Sequence, residues 1–398
     1  LVIKFVGNQN RFFLSKYQTL RNRRSGMKKS YILTTVIALA LCLGVFAGGV
    51  QAKERIQLAI LLDTSSSMDG LINQARSQLW NIVNELSRAK RNGEATQLEV
   101  AIYEYGNNSL SSGEGYIRMI TPLTADLDRI SEELFKLSTN GGSEYCGQVI
   151  DNASRDLAWS GRAGDLKLIF IAGNEPFTQG NVDFRSAVRG ALQKGIIVNT
   201  IHCGGREEGI RGMWMEGASI GQGKYLNIDH NQRIDPIHAP QDDEILSLGR
   251  ELNQTYLGYG SAGEAHRARQ ERQDLNAASM SPEVAVQRSA TKASGSYQNS
   301  GWDLVDAVTN NRVKVESMPE KDLPAEMRRM SPAQRKDFVQ SMQKKRETIQ
   351  ARISKLHGER LRFVERENRK RSKNTSLDSA ITGTIREQAG SRGYQITH

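Results

Sequence analysis

Asp63-Thr64-Ser65-Ser66-Ser67 places a carboxyl and two hydroxyls at alternate positions directly after the apolar run IQLAILL (56–62). In a tight turn, side chains so spaced converge on one spot above a strand end, and hard oxygen donors suit Mg²⁺, Mn²⁺ or Ca²⁺. The same oxygens can instead cap the next helix by accepting from its free N–H groups, and the two roles are compatible. Catalytic spacings are absent from the sequence. The six histidines show no H-E-x-x-H pattern, and no G-x-x-x-x-G-K-[ST] loop occurs. Gly217-Ala218-Ser219-Ile220-Gly221 has the G-x-S-x-G form, but Gly212–Glu216 supplies no buried strand ahead of it, so it reads as a short helix ending in a glycine turn. Ser65, Ser66 and Ser67 have no nearby His-plus-acid pair to activate a nucleophile. A binding protein is expected, not an enzyme.

The elements around that turn alternate. Ile56–Asp63, Leu98–Ile102, Tyr116–Leu123, Leu166–Ala172, Ile196–Ile201 and Lys224–Ile228 read as strands. Between them, 71–86, 127–137, 149–157, 182–192 and 245–252 carry apolar residues at helical spacing. Apolar strands separated by amphipathic helices predict an α/β, doubly wound, mostly parallel sheet with helices on both faces. Ligands of such sheets sit beyond the carboxyl ends of the strands, at the point where strand order reverses.

Over roughly residues 55–257 the chain resembles the von Willebrand factor type A family, on the strength of D-x-S-x-S at the end of a first buried strand and the succession of elements after it. The resemblance implies a metal-ion-dependent adhesion site, with Asp63, Ser65 and Ser67 in its first loop. In that family two more loops contribute a threonine and a second aspartate, and the partner offers a carboxylate to the metal. In this chain the second loop reads Gly141-Gly142-Ser143-Glu144-Tyr145-Cys146, with Ser143 where threonine is usual. The third reads Ala172-Gly173-Asn174-Glu175-Pro176, with Gly173 on the aspartate position. Asn174 is then a neutral oxygen donor, and Glu144 or Glu175 the substitute anion.

Cys146 and Cys203 both fall at the carboxyl edge of the expected sheet. In an exported chain a Cys146–Cys203 disulfide is expected; two buried thiols and a Cys146/His202/Cys203 metal site are the alternatives. Asp229, Asp235, Asp242, Asp243 and Glu244 cluster in a loop that reads as a solvated turn, with calcium as the sharper alternative.

Net charge is +10, which taken alone suggests nucleic acid, but its distribution removes that reading. Residues 1–52 carry eight Lys/Arg and no acid, so the remainder is +2. Residues 27–52 form a basic start, an apolar run and a small-residue close, as in an export signal cut before Lys53, with an uncleaved anchor as the alternative. Residues 1–26 read as an extension upstream of the natural start. An extracytoplasmic location, periplasmic or secreted, follows, with no transmembrane segment after cleavage. The expected divisions are a type A domain at 53–258, a linker with a small apolar docking segment at 259–318, a basic long helix or helical pair at 319–370, and a flexible tail at 371–398. Residues 53–318 are −7 and 319–398 are +9. The apolar series Phe338, Met342, Ile349, Ile353, Leu356 and Phe363 suggests self-association through 332–369, as in a coiled coil. The basic face suggests contact with anionic envelope material or folding back onto the acidic body. Few aromatics interleave with those charges, so no nucleic-acid partner is expected. The reading is an exported module binding an unidentified protein ligand; a structural protein of the envelope working through its C-terminal helix is the alternative, and a hydrolase the third.

Overall fold

Alternation along each strand separates two cores. In the computed structural model, which describes residues 53–228, 237–371 and 377–396, the strands are β1 (Arg55–Asp63), β2 (Ala89–Arg91), β3 (Glu94–Ala95), β4 (Gln97–Tyr105), β5 (Ile117–Thr124), β6 (Leu166–Gly173), β7 (Ile196–Cys203), β8 (Gln222–Ile228) and β9 (Gln395–Ile396). Six make one sheet in the order β5-β4-β1-β6-β7-β8. Only β5 runs antiparallel to its neighbour. Leu58, Ile60 and Leu62 of β1 face one core, and Ala59 and Leu61 face the other. Strand order reverses at β1, so the Asp63 turn sits at the switch point.

Helices cover both faces: α1 (Ile72–Ser87), α2 (Leu127–Lys136), α3 (Cys146–Asp156), α4 (Phe184–Gln193), α5 (Arg206–Arg211), α6 (Trp214–Ile220) and α7 (Asp242–Asn253). Trp80 and Val83 of α1 pack in the core of Leu58, Ile60 and Leu62, while Val149 of α3 and Val188 of α4 pack in that of Leu61. The G-x-S-x-G string lies in and just after α6, so Ser219 is helical and no strand-to-helix elbow forms there.

The later chain is more ordered than expected. In place of a linker stand α8 (Gly263–Met280) and α9 (Pro282–Lys292), followed by α10 (Leu304–Thr309). Several polar residues of this stretch, Gln270, Gln273, Arg288 and Lys292 among them, are buried. Arg288 Nη2 donates to Asp128 Oδ1 at 2.5 Å and its Nε to Asp274 Oδ1 at 2.9 Å. Lys292 pairs with Asp274 and donates to Asn253 Oδ1 at 2.6 Å. The Tyr297 hydroxyl donates to the second oxygen of Asp128 at 2.7 Å. The expected apolar docking segment is present, with Leu304 and Val305 packed beside Leu257, Leu323 and Met327.

The basic segment is one helix, α11 (Pro332–Arg371), and it folds back onto the acidic body. Arg346 donates to Asp303 at 2.6 Å and Asp306 at 2.7 Å and covers the Tyr256 ring at 4.1 Å. Arg360 donates to the fully buried Asp242 at 2.6 Å, and Arg352 to Glu244 at 2.7 Å. Of the series expected for self-association, Ile349, Ile353 and Leu356 are buried within this same chain, while Phe338, Met342 and Phe363 are half-buried. Asp242–Glu244, read as part of a solvated turn, open α7, while Asp229 and Asp235 lie outside the described residues.

The expected tail is also built in. Residues Leu377–Ser391 form α12, burying Ile381, Ile385 and Ala389, and β9 pairs antiparallel with β2. Tyr394 donates to Arg55 O at 2.8 Å and Gly164 O at 3.0 Å. All described residues fall in one compact unit beginning at Lys53. The export-signal and upstream segments lie outside the described residues. Among the described residues no helix is long and apolar enough to cross a membrane.

Candidate functional site

Asp63 ends β1 and is fully buried. Its Oδ1 accepts from Ser65 N at 2.8 Å, which folds the turn back over the strand end. Ser65 and Ser67 hydroxyls meet at 2.8 Å, and the Ser67 hydroxyl donates to Asn174 Oδ1 at 3.0 Å. Backbone bonds join the first and second loops: Ser66 N to Gly141 O at 2.6 Å and Asn140 N to Thr64 O at 2.9 Å. Three loops expected to cooperate therefore do converge.

Gly106, in the turn after β4, adopts a φ of +79°. A Cβ there would stand 2.8 Å from Asp63 Oδ1 and 2.9 Å from Glu144 Cγ, so a glycine is what lets those two acids approach. Glu144 is buried, with its backbone N–H donating to Gln179 Oε1 at 3.0 Å. Burial raises the Glu144 carboxyl above its ordinary range, and the Glu175 charge raises it further. Burial likewise pushes Asp63 up to about 7, against the pull of the Ser65 N–H, with the Glu144 charge adding to the rise.

The structure thus gathers Asp63, Ser65, Ser67, Asn174 and Glu144, with Glu175 alongside. Ser143 is half-buried in the second loop and makes no hydrogen bond to the other donors, so Glu144, one residue on, is what that loop contributes.

Gly173 carries a departure that only the structure explains. It has no room for the family's carboxylate: a Cβ would collide with the Tyr105 hydroxyl and lie 3.0 Å from Asp63 Oδ2. Tyr105 is fully buried and donates to Ala172 O at 3.0 Å. Sequence reasoning missed Tyr105. Its signal was register, since Tyr105 lies directly opposite Asp63 on the neighbouring strand.

Cys146 and Cys203 are separate buried thiols, which corrects the expected disulfide. Cys146 opens α3 in one core, and Cys203 points from β7 into the other, so the sheet lies between them. Burial pushes both thiols well above their ordinary range. His202 precedes Cys203 and holds the third loop instead, its Nε2 3.1 Å from Asn174 O.

The donors fit a hard cation in a modified form. They are all oxygen, and Asp63 Oδ2 is a buried acceptor with no partner among the described residues. Among the described residues no group of three His, Cys, Asp or Glu forms a metal cluster, so a cation here would have to rely on hydroxyl and amide oxygens beside few acids.

No protein-family model matches the chain, and no curated protein matches it. Among solved structures, the conserved hypothetical protein BatB from Bacteroides thetaiotaomicron is similar over 44% of this chain and 90% of its own, at 20% identity and a TM-score of 0.33. A von Willebrand factor type A protein from Catenulispora acidiphila is similar over 45% of this chain and 40% of its own, at 17% identity and a TM-score of 0.32. Proximal thread matrix protein 1 from the mussel byssus, with a zinc-occupied MIDAS motif, is similar over 45% and 43%, at 14% identity and a TM-score of 0.33. Strand order, the D-x-S-x-S turn at the end of β1 and the two loops bonded around it give the described part of residues 55–257 a von Willebrand factor type A fold.

Proposed function

We propose that the protein is a binding module acting outside the cytosol, and that its rim at Asp63, Ser65, Ser67, Asn174 and Glu144 engages a protein partner through a divalent cation. The observation that carries this reading is the convergence of the Ser65, Ser67 and Asn174 oxygens above a buried, unpartnered Asp63 oxygen. Mg²⁺, Mn²⁺ or Ca²⁺ bound there supplies an electrophilic position for a partner's carboxylate. Ser65, Ser67 and Asn174 would hold the ion, and Glu144 would supply the charge that Gly173 lacks. Asp63, raised to about 7, contributes its full charge only above that pH. His202 and the Ser66–Gly141 bonds keep the loops in place. The placement of the work outside the cytosol rests on the export-type pattern of residues 27–52.

Titration calorimetry with Mg²⁺, Mn²⁺ and Ca²⁺ tests this on the wild type, Ser67→Ala and Glu144→Gln. Saturable heat in the wild type, lost in both variants, is expected. No heat with any of the three ions removes the cation from the reading.

A further inference from the structure

Far from the rim, a cavity of about 170 Å³ opens between the end of α1, the β2–β3 hairpin, the turn after α9 and the middle of α11. Its polar lining is Ser87, Arg88, Lys90, Ser294, Ser354 and His357, the rest being alanines and Gly295. We infer that this cavity binds a small oxyanion, a phosphate-type group, where the C-terminal helix meets the type A fold.

Charge is the first argument. Among the described residues no carboxylate lines the space. His357 feels three guanidiniums, those of Arg88, Arg360 and Arg386. Glu85 and Asp242 pair with these arginines, but from outside the cavity. Lys90 adds a further cation at the wall. Arg88, already paired with Glu85, and the exposed Lys90 are the cations on the wall, and an anion seated between them adds a favourable interaction.

Hydrogen bonding is the second. The Ser294 hydroxyl is buried without a partner among the described residues, in a residue only 9% exposed. Arg88 Nη1 lies 3.5 Å from His357 Nδ1. A guanidinium has no lone pair to offer, so Nδ1 is the accepting nitrogen and the ring proton sits on Nε2. Burial and the neighbouring arginines hold the ring neutral, well below the ordinary histidine range. Carbonyls at the two helix ends that could oppose an anion are engaged: Arg88 N donates to Glu85 O and Leu86 O, and Gln350 Nε2 donates to Lys292 O at 3.3 Å. The donors at the wall are the Arg88 guanidinium, the Lys90 ammonium and the Ser294 hydroxyl, groups that oxyanions accept from.

Size agrees. With about 30 Å³ for each water, the space holds a tetrahedral oxyanion and a few waters. Because α1 and α11 both line it, an occupant ties the C-terminal helix to the sheet domain.

The test follows thermal unfolding of the protein against inorganic phosphate, with sodium chloride at equal ionic strength as control. A parallel arm measures co-sedimentation with phosphatidylglycerol vesicles against neutral vesicles. A melting temperature that rises with phosphate beyond the chloride control supports a soluble ligand; sedimentation with the anionic vesicles supports a lipid headgroup. In either case Ser294→Ala and Lys90→Gln should weaken the response roughly tenfold each, as loss of a bond to a charged group does. Ser294→Ala removes an unpartnered hydroxyl, so it should fold as the wild type does. Phosphate indistinguishable from chloride together with no vesicle preference overturns the inference, as does a response that both variants retain in full.

Discussion

The rim and the Arg346 network between the two halves of the chain treat their buried carboxylates in opposite ways. At the rim, Asp63 leaves an oxygen without a partner, and Glu144 and Glu175 crowd one another. At the joint, Arg346 is held by Asp303, Asp306 and Thr255 and stacks on Tyr256, while Asp303 also accepts from Leu257 N. Satisfied polar networks make one arrangement unique, whereas unsatisfied ones store a demand that a ligand can meet. The Arg346 network therefore reads as architecture and the rim as a place of engagement.

Cutting the joint should give the largest effect. Arg346→Ala leaves the fully buried Asp303 without its guanidinium, and a loss of about 3–5 kcal/mol is expected in urea unfolding. A loss under about 1 kcal/mol would erase the contrast. At the rim, Gly173→Ala drives a methyl into Tyr105, with an expected cost of about 1–3 kcal/mol. Adding Tyr105→Phe to that variant should restore much of the loss; if it restores none, the hydroxyl is not what fills the space.

Acid sharpens the comparison from the joint's side. The His357 pKa is depressed in the fold, by burial first and then by Arg88, Arg360 and Arg386. As pH falls below the ordinary value of 6.5, the unfolded chain takes up this proton first. The contribution of the neutral ring is intact above that pH and is lost at up to about 1.4 kcal/mol per pH unit as pH drops toward the folded value. Chemical denaturation of wild type and His357→Gln between about pH 5 and 8 should show a shallower acid slope in the variant. Equal slopes would place the titration elsewhere. The smallest change belongs to Ser67→Ala, whose exposed hydroxyl should alter stability by less than about 0.5 kcal/mol while abolishing the cation heat.

Periodicity made the type A half legible. Runs such as LKLIFIA and the 71–86 stripe are read by burial alone, and both elements lie where the pattern puts them. The D-x-S-x-S turn was legible because three residue types at fixed spacing need no tertiary partner to be noticed. The 263–292 helices were not, since Arg288, Lys292, Gln270 and Gln273 read as surface until the partners that bury them are known. The disulfide was misjudged for a related reason. Sequence shows that Cys203 ends a strand, but the side of the sheet it faces follows from register. Tyr105 was invisible for the same cause.

The pairing of β9 with β2, closed by Tyr394 on the first residue of β1, makes the sheet domain impossible to excise cleanly. A fragment stopping near residue 257 would strip α12 from α1 and β8 and release Asn199 of β7, to which Gln388 donates at 2.7 Å. Dissection of this molecule belongs to point changes, and any affinity handle or fluorophore is best carried on an exposed loop away from the last strand.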